Sequence, residues 1–304
     1  NIITRSLKSE AVMSKTLILI DIDRTIINEK AEITDPTLAT KIAQMVEQGW
    51  EIGLCSDRPT DELEYFARFL PVNGPLVGEM GAVIEFPELQ NSLESTHMLL
   101  STRISLGFLD IRNKFIVRLI DISREDYLHI TLGRNSIEHE RRILADHQQG
   151  IRYIYVDIAR EHSFAMSMRV FGPDGPEKCG QIIEDLAEFA KRDFADQFGN
   201  NLEMESQSFS PMLYVNPEEW GCVIVHFPTN GKNKAGQALL DKYDYDRIFM
   251  IGDTSFDDLK DTERVVQLGV ANAWDDYKNV CQFVAGRKYA SGVIDCLAWA
   301  EQNA

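Results

Sequence analysis

The sequence lacks the cysteine and histidine patterns that build zinc sites and disulfide frameworks. Its 304 residues include five cysteines and six histidines, but no CxxC pair and no HxxxH spacing. Scattered cysteines in an odd number favour free thiols in a reducing compartment. We therefore expect a cytoplasmic protein.

Long apolar runs are also missing. The longest early run, 16–20, ends at Asp21, far short of a membrane-spanning helix or the apolar region of a signal peptide. We expect no membrane partner. Residues 1–12 show no clear pattern before Met13 and are treated as an N-terminal extension, either native or added for expression.

Basic residues are scarce relative to acidic ones. Lysine and arginine number 31 against 48 aspartates and glutamates, a net charge of −17. The electrostatic repulsion from this negative charge disfavours nucleic acid as a partner. For the same reason, a phosphate ligand would need a local metal ion or cation cluster. The apolar share of 44% and charged share of 26% are typical of a globular protein, and the length suggests about two domains.

The most informative feature present is a pair of acids behind a short apolar segment. Residues 16–20 read as a buried parallel strand. Asp21 and Asp23 then emerge at its carboxyl end, where open α/β sheets bind their ligands. Two neighbouring carboxylates are unfavourable unless a metal ion or a shared proton compensates their charge.

The order of the surrounding elements predicts an α/β fold with a doubly wound parallel sheet. Helical and strand-like patterns alternate in both terminal parts of the chain, whereas the middle mixes them irregularly. We expect residues 13–85 and 228–304 to form one core domain, with residues 86–227 as an inserted α+β domain. The expected helices are 36–48, 60–70, 137–147, 179–198, 234–243, 257–267 and one reaching 299; the expected strands are 16–20, 50–55, 163–171, 212–215, 222–227, 247–251 and 268–271.

Further polar residues fall where these elements end or begin. Ser56 follows the second strand, Lys234 opens a helix, and Asp253 follows a third strand, with Asp257 just behind it. An acid pair, a hydroxyl, a lysine and a second acid pair at one sheet edge are what phosphoryl transfer through an aspartyl phosphate requires.

Four motifs together resemble those of the haloacid dehalogenase-like superfamily of phosphotransferases. They read DIDRT at 21–25, LCSDRP at 54–59, NKAGQAL at 233–239 and GDTSFDD at 252–258. The chain looks most like the Cof-type branch (subclass IIB), in which a large α/β cap domain is inserted between the second and third motifs. The resemblance runs from about Lys15 to Val293.

The resemblance implies a role for each motif residue. Asp21 would be the nucleophile and Asp23 the general acid and base. Mg²⁺ would be bound by Asp21, Asp23 through its backbone carbonyl, and Asp253, with Asp257 in support. The phosphate oxygens would be bound by Thr25, Ser56 and Lys234, with Lys232 as a rival for the role of the lysine.

The chain departs from the family pattern at three places. Arg24 stands where the family usually has glycine, Phe256 stands where Cof-type members usually have asparagine, and Ser56-Asp57-Arg58 replaces the commoner Thr-Gly-Arg. These changes keep every catalytic group but leave the substrate pose open.

Asp23 favours phosphoester chemistry over dehalogenation, because a dehalogenase does not need a second acid. We expect a Mg²⁺-dependent phosphatase acting on a small phosphorylated metabolite, either a sugar phosphate or a phosphoglycolate-like acid. A phosphomutase, or a catalytically weak binding protein on the same fold, remains the alternative. Arg58 and, in the cap, Arg169 are the candidate substrate contacts, and the sequence does not indicate the oligomeric state.

Overall fold

The computed structural model describes two β-sheets and the helices packed against them. The described residues are 15–86, 96–98, 102–123, 128–134, 138, 142, 151–172, 175–176, 188, 192, 203–209, 220–226, 231–261 and 263–303. Only the backbone is described for residues 96–98, 102–108, 111, 121–123, 128, 168–172, 175–176, 203–209 and 220–226.

The elements are numbered in chain order. The strands are β1 Thr16–Ile20, β2 Glu51–Cys55, β3 Leu76–Gly78, β4 Val83–Glu85, β5 Thr96–Met98, β6 Leu128–Gly133, β7 Arg152–Asp157, β8 Phe164–Gly172, β9 Gly175–Pro176, β10 Glu203–Phe209, β11 Trp220–His226, β12 Arg247–Gly252, β13 Val265–Gly269 and β14 Phe283–Val284. The helices are α1 Thr37–Glu47, α2 Thr60–Ala67, α3 Thr102–Ser123, α4 Lys232–Lys242, α5 Asp275–Lys278 and α6 Tyr289–Asn303.

The larger sheet has the strand order β14-β13-β12-β1-β2-β3-β4-β5 in the described residues. Strands β14 to β3 run parallel to one another, and β4 and β5 add an antiparallel edge. In the register of the sheet, Ile18 of β1 lies between Ile52 of β2 and Phe249 of β12. The first strand of the chain is therefore central, which explains why it is apolar on both faces.

Helices cover both faces of this sheet. Ile18 and Ile20 belong to one core cluster with apolar side chains of α1 and α6, whereas Leu17 and Leu19 belong to a second cluster with those of α4. All four β1 side chains are fully buried. Successive residues of a strand point to opposite faces, so this division shows a sheet covered by helices on both sides. The predicted doubly wound α/β fold class is confirmed.

The smaller sheet lies in the middle of the sequence. Its order is β10-β11-β8-β7-β6, with β9 paired to β8; β6 and β7 are parallel and the other pairs antiparallel. Helix α3 packs against it, with Phe115 and Phe164 in edge-to-face contact at 5.2 Å between ring centroids. This mixed α and β architecture is what the sequence led us to expect there, while the domain boundaries at 86 and 227 stay a prediction.

The predicted helix 257–267 is wrong. The chain forms a 3₁₀ turn at Ser255–Asp257, has no helix at the described residues 258–261 and 263–264, and enters β13 at Val265. The local reason is that the Asp261 carboxylate accepts hydrogen bonds from the backbone amides of Glu263 and Arg264, which competes with helical pairing. The β-branched residues that follow then pair with β12, so the strand runs from 265 to 269 and not from 268 to 271.

Some elements were missed or lie elsewhere. Helix α3 was not predicted, and the predicted helices 137–147 and 179–198 and strand 212–215 lie outside the described residues. Among the described helices, none combines the length and apolar character needed to cross a membrane.

Candidate active site

The carboxyl ends of three adjacent parallel strands bring polar side chains together. Asp21 follows β1, Ser56 follows β2 and Asp253 follows β12. The backbone amide of Asp21 donates to the Ile251 carbonyl at 2.9 Å, which continues the sheet ladder to the acid. All three side chains are buried. Position in the sheet thus fixes these groups at one edge.

Asp257 joins this edge through the turn after β12. One of its oxygens, Oδ2, accepts the backbone amides of Asp253 at 2.9 Å and Thr254 at 3.0 Å. A Cβ on Gly252 would lie 2.3 Å from that oxygen, so glycine is needed for the close approach. Asp21, Asp253 and Asp257 each offer a carboxylate oxygen within 4.8 Å of the others.

The lysine of the site is Lys232, whereas the sequence analysis assigned its role to Lys234. Nζ of Lys232 donates to Oδ1 of Asp21 and Oδ1 of Asp257, both at 2.6 Å, and its side chain is 5% exposed. Lys234 is exposed. The two lie on one helix about 200° apart around its axis, because each residue advances about 100°. Only one of them can face the carboxylates, and it is Lys232, the rival of Lys234 for this role.

Burial dominates the electrostatics of the carboxylates. Loss of hydration raises the pKa of Asp21 to about 8, against the opposing charge of Lys232. Burial likewise raises the pKa of Asp253 well above its usual value, and the charge of Asp21 adds to this. For Lys232 burial alone would lower the pKa, but Asp21 and Asp257 raise it well above its usual range, so the ammonium stays charged.

The cluster has the donor set and the charge of a divalent cation site. Three buried carboxylates face one lysine, and Oδ2 of Asp253 is buried without a hydrogen-bond partner among the described residues. Carboxylate oxygens are the ligands that Mg²⁺ prefers, and a cation would stabilise the ionised form of each acid. The residues present therefore fit Mg²⁺.

Asp23 lies beside this cluster and is held by an arginine. Nε and Nη2 of Arg58 donate to its two carboxylate oxygens at 2.7 and 2.5 Å, and Nη1 donates to Glu62 at 2.5 Å. This two-point contact fixes the plane of the carboxylate. Arg58, expected to contact the substrate, thus has its guanidinium on two protein carboxylates in this structure.

Two buried hydroxyls complete the edge. Oγ of Ser56 accepts the backbone amide of Arg58 at 3.3 Å. Oγ1 of Thr25 is buried and has no hydrogen-bond partner within the described part of the chain. Both residues are fully buried; the Ser56 hydroxyl donates to Oδ1 of Asp57 at 3.5 Å, a long contact.

A loop of the smaller sheet contacts the core close to Ser56. Nη2 of Arg160, in the loop between β7 and β8, is 3.6 Å from Oδ2 of Asp57. Glu79 accepts the amides of Glu161 and His162 and the hydroxyl of Ser163. Glu79 and residues 161–163 are more than 80 positions apart in the sequence, and no local motif signals either contact. For Arg169, the other predicted substrate contact, only the backbone is described, paired in β8 with Tyr153 and Trp220.

Comparison with known proteins gives a consistent result. A family model of haloacid dehalogenase-like hydrolases matches residues 18–297. The comparison with curated proteins found no significant match.

Several solved structures share the fold over nearly the whole chain. A Thermoplasma acidophilum protein has 18% identity and a TM-score of 0.58, covering 95% of this chain and 99% of its own. A haloacid dehalogenase-like hydrolase from Bacteroides thetaiotaomicron has 16% identity and a TM-score of 0.59, covering 94% and 99%. The sucrose-phosphatase of Synechocystis, solved with sucrose and phosphate, has 13% identity and a TM-score of 0.52, covering 95% and 99%.

These findings confirm the resemblance drawn from the four motifs and support its Cof-type branch. At such low identity the solved structures show the shared fold alone.

Proposed function

Because the chain belongs to the haloacid dehalogenase-like hydrolase family, we propose that it is a Mg²⁺-dependent phosphatase acting through an aspartyl phosphate. The observation that carries this proposal is the Lys232 ammonium between Asp21 and Asp257, 2.6 Å from each. Asp253 offers a carboxylate oxygen within 4.8 Å of those of Asp21 and Asp257, and Asp23, two residues after Asp21, is the candidate proton donor. Phosphoryl transfer needs such a nucleophile, charge neutralisation and a proton donor at one point.

Asp21, Asp253, the backbone carbonyl of Asp23 and Asp257 would hold the metal ion. When bound, Mg²⁺ supplies positive charge that reduces repulsion between the nucleophile and the phosphate. This fits the raised pKa of Asp21, about 8 even with Lys232 beside it, since such a buried carboxyl needs a second neighbouring cation to react as an anion near neutral pH.

The chain's own residues account for both half-reactions. The Asp21 carboxylate attacks phosphorus, and the bond from phosphorus to the ester oxygen breaks as Asp23 gives that oxygen its proton. Asp23, now ionised, takes a proton from a water molecule whose oxygen attacks phosphorus. The bond to Asp21 then breaks, inorganic phosphate leaves, and both acids return to their starting states.

Neighbouring groups orient these two acids and the phosphoryl group. Lys232 would neutralise charge on the phosphoryl oxygens, while Thr25 and Ser56 would donate hydrogen bonds to them. Arg58 would keep the Asp23 carboxylate facing the ester oxygen, in place of the substrate contact first expected of it. Such preorganised donors are a major source of enzymatic rate enhancement.

We propose residues 86–227 as the cap domain that selects the substrate, with Arg169 a candidate contact. The contact of Arg160 with Asp57 supports this, because it brings a loop of the smaller sheet against the core next to Ser56. A covered site favours a small phosphorylated metabolite, such as a sugar phosphate or a phosphoglycolate-like acid. The fold shared with a sucrose-phosphatase fits this class, and a cytoplasmic location fits such a metabolite.

Phosphate release from a panel of small phosphomonoesters tests the proposal. Protein with Mg²⁺ is expected to release phosphate, whereas Asp21→Asn and an EDTA-treated sample should fall to background. Asp241→Asn serves as the matched control, because Asp241 is exposed at the far end of α4. Phosphate release by Asp21→Asn equal to that of the wild type would show that Asp21 is not the nucleophile. Transfer of the phosphoryl group within a sugar, with no free phosphate, would establish the mutase instead.

A further inference from the structure

Arg24, between Asp23 and Thr25, has an unusual backbone conformation and lies close to a buried carboxylate. Arg24 adopts the left-handed backbone conformation, with φ of 58°, which residues other than glycine rarely adopt. Its Nε lies 3.7 Å from Oδ2 of Asp253, and the two side chains are 19% and 4% exposed. Neither atom has a hydrogen-bond partner among the described residues, so each faces the other as a charge.

The surrounding backbone holds Arg24 in this position. The amides of Thr25, Ile26 and Ile27 all donate to the carbonyl of Ile22, forming a tight turn. The side-chain amide of Asn272 donates to the Arg24 carbonyl at 2.7 Å. Hydrogen bonds therefore hold the backbone of the turn at Ile22 and at Arg24, and this backbone places the Arg24 side chain near Asp253.

We propose that the Arg24 guanidinium is a resident counter-ion of Asp253 that competes with the divalent cation and thereby sets the metal affinity of the site. This inference rests on the metal site of the proposed function. Oδ2 of Asp253 is buried without a hydrogen-bond partner in the described part of the chain, which leaves it available as a metal ligand. A guanidinium 3.7 Å away both occupies its open side and repels an incoming cation.

The competition has two consequences of opposite sign. Without metal, Arg24 is a positive charge 3.7 Å from the buried Asp253 carboxyl, and this favourable contact stabilises the fold. With metal, the same positive charge disfavours binding, because the ion and the guanidinium share one carboxylate. Replacing Arg24 should therefore weaken the metal-free protein and tighten metal binding.

Titration of EDTA-treated, dialysed protein with MgCl₂ in a calorimeter measures this directly. Arg24→Gln removes the charge and keeps much of the length, and we expect Mg²⁺ to bind on the order of tenfold more tightly. Arg24→Lys keeps the charge and should stay within about twofold of wild type. Arg264→Gln is the matched control, since Arg264 also pairs with aspartates but lies at the opposite end of the strands.

Thermal unfolding gives a second readout that a purely structural arginine would not produce. In EDTA, Arg24→Gln should unfold at a lower temperature than wild type. With saturating Mg²⁺ the difference should close or reverse, because a ligand stabilises the folded state by its affinity. Arg24→Gly, which relieves the left-handed backbone, gives the same affinity test if Arg24→Gln fails to fold.

The outcomes separate this inference from the proposed function. Tighter Mg²⁺ binding in both Arg24→Gln and Arg24→Gly supports it. Metal-dependent phosphate release combined with unchanged or weaker Mg²⁺ affinity in these variants overturns it alone, and weaker binding of inorganic phosphate would then assign Arg24 to the phosphate. No Mg²⁺ binding by any form overturns this inference and the metal site together.

Discussion

At the scale of single residues, the chemistry depends on one ammonium group between two carboxylates. Lys232 and Lys234 are two positions apart on α4, so a helix cannot direct both to the same side. Helix α4 begins directly after Gly231, and this start directs Lys232 inward, 2.6 Å from Asp21 and from Asp257. Replacing it leaves two buried carboxylates without their cation.

We predict that Lys232→Met lowers kcat on the order of 10²- to 10³-fold, because a preorganised charge at the transition state is lost. The variant should also lose about 3–5 kcal/mol of unfolding free energy, since its two partners stay buried without their cation. Steady-state phosphate release and urea unfolding measure the two effects. Lys234→Met is the matched control and should resemble wild type; a reversed pattern would return the role to Lys234.

At the scale of elements, the turn Glu79–Gly81 connects three parts of the molecule. Glu79 and Met80 both have left-handed φ, 49° and 57°, and Gly81 has φ of 82°. The Met80 carbonyl accepts the Gly231 amide just before α4, and a Cβ on Gly81 would lie 2.4 Å from the Gly231 carbonyl. The strained turn thus fixes the start of the helix that carries Lys232.

Glu79 also fixes the smaller sheet to this turn, so we predict that Glu79→Ala destabilises the protein by about 2 kcal/mol or more. The physical reason is that three donors of residues 161–163 lose a buried carboxylate acceptor. Urea unfolding measures the loss, and amide hydrogen exchange should accelerate at residues 161 and 162. Glu64→Ala, at an exposed position of α2, is the control. Unchanged exchange at these amides would show that the contact does not tie the loop.

At the scale of the whole molecule, acidic residues are abundant, and some of them are buried. The net charge is −17, and burial raises the pKa of Asp21 to about 8. Burial also raises the pKa of Asp253. Between about pH 4, near the pKa of an unfolded aspartate, and about pH 8, the folded metal-free chain therefore binds more protons than the unfolded chain.

We predict that the metal-free protein loses stability as the pH rises through this window. The contribution of the raised acids is fully present below about pH 4 and is lost as the pH approaches about 8, because folding favours their protonated forms. Urea unfolding in EDTA at several pH values measures the slope, and Asp21→Asn should reduce it. Saturating Mg²⁺ should flatten the dependence; a slope that ignores both changes would contradict the assignment.

The sequence by itself determined the central strand, the acids that follow it and the doubly wound class. These depend on local periodicity and on the rule that neighbouring parallel strands end at one edge. It could not choose between Lys232 and Lys234, because the choice follows from the helix start, which Met80 and Gly231 fix across about 150 residues. The helix predicted at 257–267 failed because pairing with β12 outweighed local propensity. Only tertiary packing could direct Arg58 to Asp23 and Arg24 to Asp253, since a side chain's charge partner is set by the fold around it.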